Sequence, residues 1–499
     1  MRSIYNRAVI FGCALLIFTM GCKKSFLEEP VPTTAVSHLD VFKTEAGVRS
    51  YFTGIYRNLR SQWQNLNATA GGTTDSWGYT SVHLARVNKG LDIINIGGFY
   101  QFDYRHENRE PNFRRTRFTW GFFYEHINQA NIIIDGLEKS ALTAATKQRL
   151  QAEARALRAW LYFDLVREFQ HTVTKDANAP GIPVYELPTD ASNKGKPRGT
   201  IKQVYDLINS DIAFAIQHLG VPRLLKSNIN LNVAYGMAAR IYLEQKKWSD
   251  ARNAAIKARE GYTLEAGDYG KTDLASAEWI WGFPQTTANG GQSTYYGTPS
   301  AFYEKTGDGY DNLYVSTTLV ATFSNTDVRN LFFISNNSAA NARRYSTNKF
   351  GAESPDDITL INGTTAKLRM TDFEEDLPMM RVAEMYLIEA EAGAELGEAV
   401  AGDVLFTLQK NRNTAALKSG NAGQALINEV LLERRKELYG ELGIDYMDAK
   451  RRQLPLVRTG NHPLAFLFNI PANDARFLLK IPQSELDTNE FIDESHQNQ

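Results

Sequence analysis

Aromatic rings set among small polar residues are the part of this sequence that best fits ligand binding. The first group lies in the segment DSWGY, where Trp77 stands between Asp75 and Tyr79. A flat ring on a loop offers an apolar face that can stack on the C–H face of a sugar ring, while neighbouring polar groups take the hydroxyls. The alternative interpretation is that Trp77 fills a local core.

A second group of rings lies more than 200 residues further along the chain, in a segment rich in Gly, Ser and Thr. It holds Tyr295, Tyr296 and Tyr310. Both segments interrupt a helical pattern, and insertions in a helical array tend to map to one face. We therefore expect Trp77 and at least one of these tyrosines on one exposed surface. The alternative for each tyrosine is a place in the small core of its own segment.

Signatures of catalytic or metal chemistry are missing from the sequence. It has no phosphate-binding loop, dinucleotide-binding glycine pattern, zinc-protease helix motif, serine-hydrolase elbow or EF-hand loop. No two of the eight histidines stand three or four residues apart, so we predict no metal site and no cofactor. Four helical carboxylates are spaced for a solvated face or for ion pairs with arginine: Glu384, Glu389, Glu391 and Glu395.

The charge balance excludes partners that need a strong electric field. The 499 residues carry 55 basic and 56 acidic side chains, a net charge of -1, so we expect no nucleic-acid partner. Hydrophobic residues make up 43% and charged residues 22%, as in globular proteins. The two cysteines, Cys13 and Cys22, both lie near the N-terminus, so the body of the chain has no disulfide framework.

The N-terminus has the features of a secretory signal. Two arginines precede the apolar run Ala8–Met20, which is too short for a membrane span of about 20 residues. Gly21-Cys22 follows it, as in a lipoprotein processing site. We predict a signal peptide over 1–21, a palmitate-bearing Cys22 that anchors the chain in a membrane, and a polar tether over 22–40. The alternative is a signal peptide with an incidental cysteine.

The helical pattern of the body repeats in a form typical of tetratricopeptide units. Residues 229–262 place small and aromatic side chains at offsets that let two antiparallel helices approach closely. A second unit begins near Pro378, and a third, degenerate unit surrounds Ala156. One repeat cannot bury its apolar face alone, so several must stack. The alternative is a generic helical bundle.

We therefore predict a mainly α protein, with a tetratricopeptide-like helical-repeat superhelix and a loop-rich insertion that carries short strands. The repeats span about 120–262 and 378–452. Loop-rich regions at about 65–117 and 265–377 accompany them, and the aromatic alternation of Trp279–Phe283 predicts a strand. Long irregular segments held by a rigid scaffold are typical of binding surfaces.

Several segments, in this order and spacing, resemble recurring motifs of the SusD/RagB nutrient-binding lipoproteins. They cover the chain from Cys22 to its end: Cys22 with the KKSFLEEP that follows it, 120–131, 153–166, 181–183, 235–264, 381–391, 433–452 and 481–489. One departure follows Gly443, where the family usually has a basic residue and this chain has Ile444 and Asp445.

The resemblance implies a single domain over 41–499, built as a right-handed superhelix of four helix pairs, without enzymatic activity. It implies an outer-membrane lipoprotein that faces the cell exterior. Its partner would be a SusC-like TonB-dependent transporter, to which the family passes oligosaccharides or, in some members, peptides. The family's ligand sites lie in the loop after the first helix and in the long insertion. Here those regions hold Trp77 and the tyrosines of 295–310.

Two interpretations from other classes stay open on the sequence. One is a helical enzyme that acts on polysaccharide, and the other is a tetratricopeptide adaptor that binds only proteins. An enzyme would turn over members of a glycan panel, whereas an adaptor would have no affinity for saccharide or peptide. The sequence does not identify the glycan or peptide that is bound.

Overall fold

The computed structural model of the chain describes residues 38–63, 75–190, 192–266, 274–285, 298–303, 310, 312–335, 345–361, 363–370 and 375–498. Cys13, Cys22, Tyr295 and Tyr296 lie outside the described residues, as do the predicted signal peptide and most of the predicted tether. Helices dominate the described chain and strands are short, which confirms the predicted mainly α class.

Most of the long helices fall in the two regions where the sequence predicts repeats. In chain order the helices are α1 His38–Val41, α2 Glu45–Asn58, α3 Gly78–Lys89, α4 Gln101–Tyr104, α5 Arg114–Glu138, α6 Ala144–Phe169, α7 Ile201–His218, α8 Leu231–Glu244, α9 Trp248–Ala258, α10 Ser300–Tyr303, α11 Thr317–Val320, α12 Val382–Glu395, α13 Ala401–Arg412, α14 Gly423–Leu438, α15 Ile444–Arg451 and α16 Gln483–Thr488. Single-turn 3-10 helices cover Val328–Phe332, Leu464–Phe466, Ala475–Phe477 and Glu494–His496.

The strands form small antiparallel sheets. They are β1 Ile93–Asn95, β2 Trp279–Phe283, β3 Leu313–Val315, β4 Phe333–Ser335, β5 Tyr345–Thr347, β6 Ala352–Thr359, β7 Thr365–Met370, β8 Leu377–Arg381, β9 Leu456–Val457 and β10 Asn469–Ile470. One sheet has the order β1-β3-β5-β4, and the other pairs are β2 with β8, β6 with β7, and β9 with β10. The predicted strand Trp279–Phe283 is therefore confirmed.

Local capping signals fix several helix starts. The Thr44 side chain accepts a hydrogen bond from the Gly47 N–H at the start of α2. A reciprocal capping box between Thr200 and Gln203 begins α7, and its Thr-x-x-Gln spacing is a local sequence signal. Such caps satisfy backbone donors that have no partner inside the helix.

The helices stack in one continuous array. From α5 to α9 each helix packs against the next in chain order, and α12 packs against α13 and α14. The insertion leaves this array between α9 and α12, yet those two helices also pack directly against each other. At its base β2 pairs with β8, and the Val382 N–H donates to the Glu278 carbonyl at 2.8 Å. The predicted tetratricopeptide-like stacking is thus confirmed, and it continues across the insertion.

Small residues allow the close helix approach that the repeat pattern predicts. Ala239 on α8 and Ala251 on α9 are fully buried, in two helices that pack together. At Gly236 a Cβ would stand 2.1 Å from the Met380 sulfur, so no larger residue fits there without movement of Met380.

The four spaced carboxylates of α12 form ion pairs with arginines. Of the two environments that the sequence allows, a solvated face or ion pairs, the structure has the second. Glu384 accepts from Arg240 Nε at 2.7 Å, and Glu391 accepts from Arg451 Nη2 at 2.7 Å. Glu389 and Glu395 pair with Arg259 and Arg452 at 2.8 and 2.9 Å, respectively. These side chains join α12 to its neighbours rather than face solvent, because Glu384, Glu389 and Glu391 are buried.

A larger cluster of buried charges ties the insertion to the helices. Arg381, at the end of β8, donates to Glu278 at 2.9 Å and to Glu437 at 3.0 Å, and it also pairs with Glu441. Arg412 contacts the same Glu278 and Glu437 at 2.7 and 2.9 Å. Burial works to raise the pKa of Glu437, but Arg412 and Arg381 hold it well below the usual range. Glu437 therefore stays charged inside the protein, whereas burial raises the pKa of Glu278.

One long helix, α3, lies where the sequence predicts loops, besides the single-turn helices α4, α10 and α11. Within the predicted loop-rich region 65–117, α3 has all twelve residues buried, and it contacts α4 and α15. A helix buried on every side shows no alternation of polar and apolar faces, and Thr, Asn and Gly are weak helix formers. Helical periodicity therefore does not reveal α3.

Candidate ligand-binding site

The two predicted binding regions meet in one sheet. Strand β1, from the first region, pairs antiparallel with β3 of the insertion, with Ile93 opposite Val315 and Asn95 opposite Leu313. The pairing extends beyond the strands, since the Ile96 N–H donates to the Asn312 carbonyl at 3.1 Å. The expected convergence of the two regions is therefore present in the fold.

A tight turn follows β1 and leads into the aromatic segment that holds Phe99 and Phe102. Gly98 has φ +76°, a left-handed conformation that favours glycine. The Asn312 amide donates to the carbonyls of Gly97 and Phe99 at 3.1 and 3.0 Å, and the Asn95 amide donates to the Phe99 carbonyl at 2.8 Å. Two side-chain amides from paired strands thus fix the turn.

Aromatic rings from both regions contact one another beside this turn. The Phe99 and Tyr310 ring centroids are 4.4 Å apart, edge to face, and both rings are half-buried. Buried Phe302 stacks under Tyr310 at 5.5 Å. The same segment continues into α4, where Phe102 exposes 56% of its surface. We call Phe99, Phe102 and Tyr310 the aromatic surface.

Of the residues predicted from the sequence, Tyr310 lies on this surface and Asp75 lies partly buried behind it. The Asp75 carbonyl accepts from Arg115 Nη1 at 3.1 Å, and its carboxylate lies 3.2 Å from Arg114 Nε. The Arg115 guanidinium in turn stands 5.4 Å from the Tyr100 ring centroid. Asp75 is therefore committed to an ion pair.

Trp77 and Tyr79 do not lie at the surface, and the predicted exposure of Trp77 is wrong. Trp77 is only 4% exposed, and its backbone N–H donates to Ser81 Oγ at 2.7 Å at the start of α3. Tyr79 is fully buried, with its ring 5.8 Å from both Phe122 and Phe123. Because α3 is enclosed, these rings belong to the core, which is the alternative that the sequence left open for Trp77.

Sequence reasoning missed the two phenylalanines of the aromatic surface. They stand in NIGGFYQF, where Gly97 and Gly98 mark a turn and Phe99 and Phe102 follow it. A glycine pair directly before aromatic residues in a polar stretch is the signal that points to them. Trp77 drew attention instead, because its neighbours are also small and polar.

The site offers stacking and backbone hydrogen bonding. Within the described ranges, no three His, Cys, Asp or Glu side chains group as ligands of a metal ion would. The described part of the chain also contains no helix long and apolar enough to cross a membrane. The carboxylates near the site are held by arginines, Asp75 by Arg114 and Asp103 by Arg115 at 3.1 Å.

Asp445, the residue that departs from the family pattern, anchors the entry to β1. Its carboxylate accepts the backbone N–H of Leu91 and, at 3.0 Å, that of Asp92. Arg435 pairs with the Asp92 carboxylate. Burial, and next the charge of Asp92, raise the pKa of Asp445 to about 7. Asp445 therefore holds a proton up to a higher pH in the folded protein than in the unfolded chain.

We expect the free energy of unfolding of Asp445→Asn, relative to that of the natural protein, to increase as the pH rises. The pKa of Asp445 is higher in the folded state than in the unfolded state. The contribution of Asp445 to stability is therefore complete below about pH 4 and is lost as the pH rises through 7. Each pH unit of that window is worth up to about 1.4 kcal/mol. Urea unfolding at pH 5 and pH 8 measures this, and an equal difference between the two proteins at both values would contradict it.

Comparisons with known proteins identify relatives of this architecture. Residues 67–243 match a family model described as SusD-like, "Starch-binding associating with outer membrane", and residues 334–498 match the SusD_RagB model, described as "SusD family". A SusD-like protein of Bacteroides ovatus is 25% identical over 134 residues, which are 26% of this chain and 23% of the relative. The chain is thus matched to under a quarter of that relative's length.

Solved structures share the fold. A SusD-like carbohydrate binding protein of Bacteroides vulgatus aligns with TM-score 0.75 at 22% identity, over 90% of this chain and 97% of its own. A SusD superfamily protein of Bacteroides thetaiotaomicron aligns with TM-score 0.75 at 23% identity, over 91% and 99%. At this identity the likeness concerns the fold. The two family models, which match residues 67–243 and 334–498, show that this chain belongs to the SusD/RagB family.

Proposed function

We propose that this protein is a cell-surface lipoprotein that binds oligosaccharide at the aromatic surface and delivers it to a SusC-like TonB-dependent transporter. One observation carries the proposal: the pairing of β1 with β3 brings aromatic rings from two distant segments together on a rigid helical array. A family model that describes starch binding and a structural relative titled as a carbohydrate binding protein support the same ligand class.

The chemistry of the site favours binding over catalysis. Exposed and half-buried rings stack on the C–H faces of sugars without reacting with them. Hydrolysis of a glycosidic bond ordinarily needs two carboxyl groups placed across the bond. Asp75 and Asp103, the carboxylates described behind the aromatic surface, are instead held in ion pairs with Arg114 and Arg115. We therefore propose a protein without enzymatic activity.

The anchor is part of the same proposal. Residues 1–21 act as the signal peptide, Cys22 carries the acyl chains, and 22–40 form the tether, the last three residues of which belong to α1. More than one acyl chain holds a protein stably in a bilayer, because each buried CH₂ contributes about 0.8 kcal/mol. The protein then stays in the outer membrane, facing the cell exterior beside its transporter.

We expect Phe99→Ala and Phe102→Ala to weaken saccharide binding. Phe102→Ala should change stability little, whereas Phe99→Ala should also lower it, because the Phe99 ring packs on the core around Phe302. Loss of one stacking ring costs about 0.5–1.5 kcal/mol, or roughly two- to twelvefold in affinity. Isothermal titration with the oligosaccharide that binds tightest in a glycan panel measures this. Phe491→Ala is a matched control, because Phe491 is also an exposed phenylalanine and lies in the C-terminal segment.

Unchanged affinity in both variants would remove the aromatic surface from the site. If titration with peptides releases heat and titration with every glycan does not, the result would instead favour the peptide-binding type of the family. Protein-only partners would support the adaptor interpretation.

A further inference from the structure

A second aromatic cleft lies between α5 and the C-terminal helix α16. Its volume is about 230 Å³, and its lining includes Trp120, Tyr124, Tyr185 and Glu485. The Trp120 and Tyr124 rings are 4.9 Å apart, and Tyr185 meets Tyr124 edge to face at 5.7 Å. The rings therefore form a corner with faces in different directions. None of these residues belongs to the aromatic surface.

Glu485 places a carboxylate without a close ion-pair partner in this cleft. Its carboxylate accepts from the Trp120 indole at 3.2 Å and from the Asn489 amide at 2.7 Å. Within the described chain, no lysine, arginine or histidine nitrogen lies within 4.0 Å of it. The buried carboxylates Glu391 and Glu437, by contrast, each contact arginines.

The charge of Glu485 acts on the rings around it. Burial, and then this carboxylate, raise the pKa of Tyr185 to about 12. The carboxylate also helps to raise the pKa of Tyr124, after burial and Tyr162. A carboxylate with two hydrogen-bond donors keeps further lone pairs for a third. The Lys196 ammonium already lies 5.4 Å from the Tyr185 ring centroid, so one face of that ring is taken. The cleft thus combines further aromatic faces with spare acceptor capacity on one carboxylate.

We propose that this cleft binds the ammonium group of an amino sugar, with Glu485 as its counter-charge and the aromatic rings against the sugar. A cation near aromatic faces is stabilised by their quadrupoles, and a carboxylate adds a charge-assisted hydrogen bond. A neutral sugar would leave the carboxylate without a counter-charge. The inference rests on the proposed carbohydrate binding, and it names a sugar class and a separate site.

Isothermal titration with a glucosamine trimer and its N-acetylated counterpart tests the proposal. Acetylation removes the charge and keeps the sugar ring, so we expect the trimer with free amines to bind about tenfold or more tightly. Glu485→Gln should reduce that ratio to near one. Glu490→Gln is the matched control, because Glu490 lies on the same segment but is exposed and paired with Lys194. The affinity ratio of the two trimers should not change in this variant.

A second variant separates recognition from folding, because Glu485 also holds Trp120 and Asn489. Tyr185→Leu removes a half-buried ring and should weaken binding of the free-amine trimer severalfold, with Glu485 left in place. Equal affinity for both trimers, or a ratio unchanged in Glu485→Gln, would overturn the proposal. The proposal would also be overturned if the affinity ratio of the two trimers were lost only in Phe99→Ala, because the ammonium would then bind at the aromatic surface. Failure of the carbohydrate proposal itself would appear differently, as no heat with any glycan.

Discussion

Arg381→Met is expected to lower the free energy of unfolding by about 3–5 kcal/mol, because it leaves buried acids without a counter-charge. Arg381 donates to Glu278, Glu437 and Glu441, and all four side chains are at least nine-tenths buried. Methionine fills much of the same volume but carries no charge. Chemical denaturation followed by circular dichroism measures the loss.

Arg476→Met is the control for this change. Arg476 pairs with Asp474 in a largely solvated position, where ion pairs contribute at most about 1 kcal/mol. Equal stability losses for the two variants would contradict the role given to the buried cluster. Because the cluster joins the end of β8 to α14, we also expect faster proteolysis within residues 265–377 in Arg381→Met.

Cys22→Ser is expected to abolish membrane attachment altogether. The hydroxyl of serine is not a substrate for thioether lipidation, so the chain would keep its signal peptide or enter the periplasm without an anchor. Fractionation of cells and labelling with radioactive palmitate measure the result. Cys13→Ser is the control, because Cys13 lies within the apolar run, and that variant should be labelled and retained normally.

A Cys22→Ser protein that stays in the outer-membrane fraction and takes up label would contradict the anchor. Saccharide affinity should not change, because Phe99 and Tyr310 lie in the folded body of the chain. Measuring both properties on one variant separates attachment from binding.

Features set by local sequence could be predicted, because the signals act within a few residues. The Thr200–Gln203 capping box, the strand Trp279–Phe283 and the small residues Ala239 and Ala251 all appear where the sequence indicates. For the α12 carboxylates the sequence left two environments open, a solvated face or ion pairs, since their arginine partners come from other helices. Arg240, for example, lies 144 residues from Glu384.

The site could be predicted by region but only partly by residue. Tyr310 lies half-buried against Phe99, and its role in binding stays a prediction. Trp77 is buried, because α3 is enclosed by elements distant in sequence. No local pattern shows that Arg115 would donate a hydrogen bond to the Asp75 carbonyl. Nor does one show that the Asn312 amide would donate to the Phe99 carbonyl. The Asn312 contact depends on the pairing of β1 with β3, more than 200 residues apart, and the Arg115 contact joins residues 40 positions apart.

The most direct test of the central claim is calorimetric titration of the chain from residue 22 onward with a panel of oligosaccharides, with product analysis of each mixture. The claim is that this protein captures saccharide and does not transform it. We predict saturable heat with at least one oligosaccharide, weakened by Phe99→Ala, and unaltered glycans after prolonged incubation. Shortened glycans would show an enzyme, and an absence of heat with every member of the panel would contradict saccharide capture.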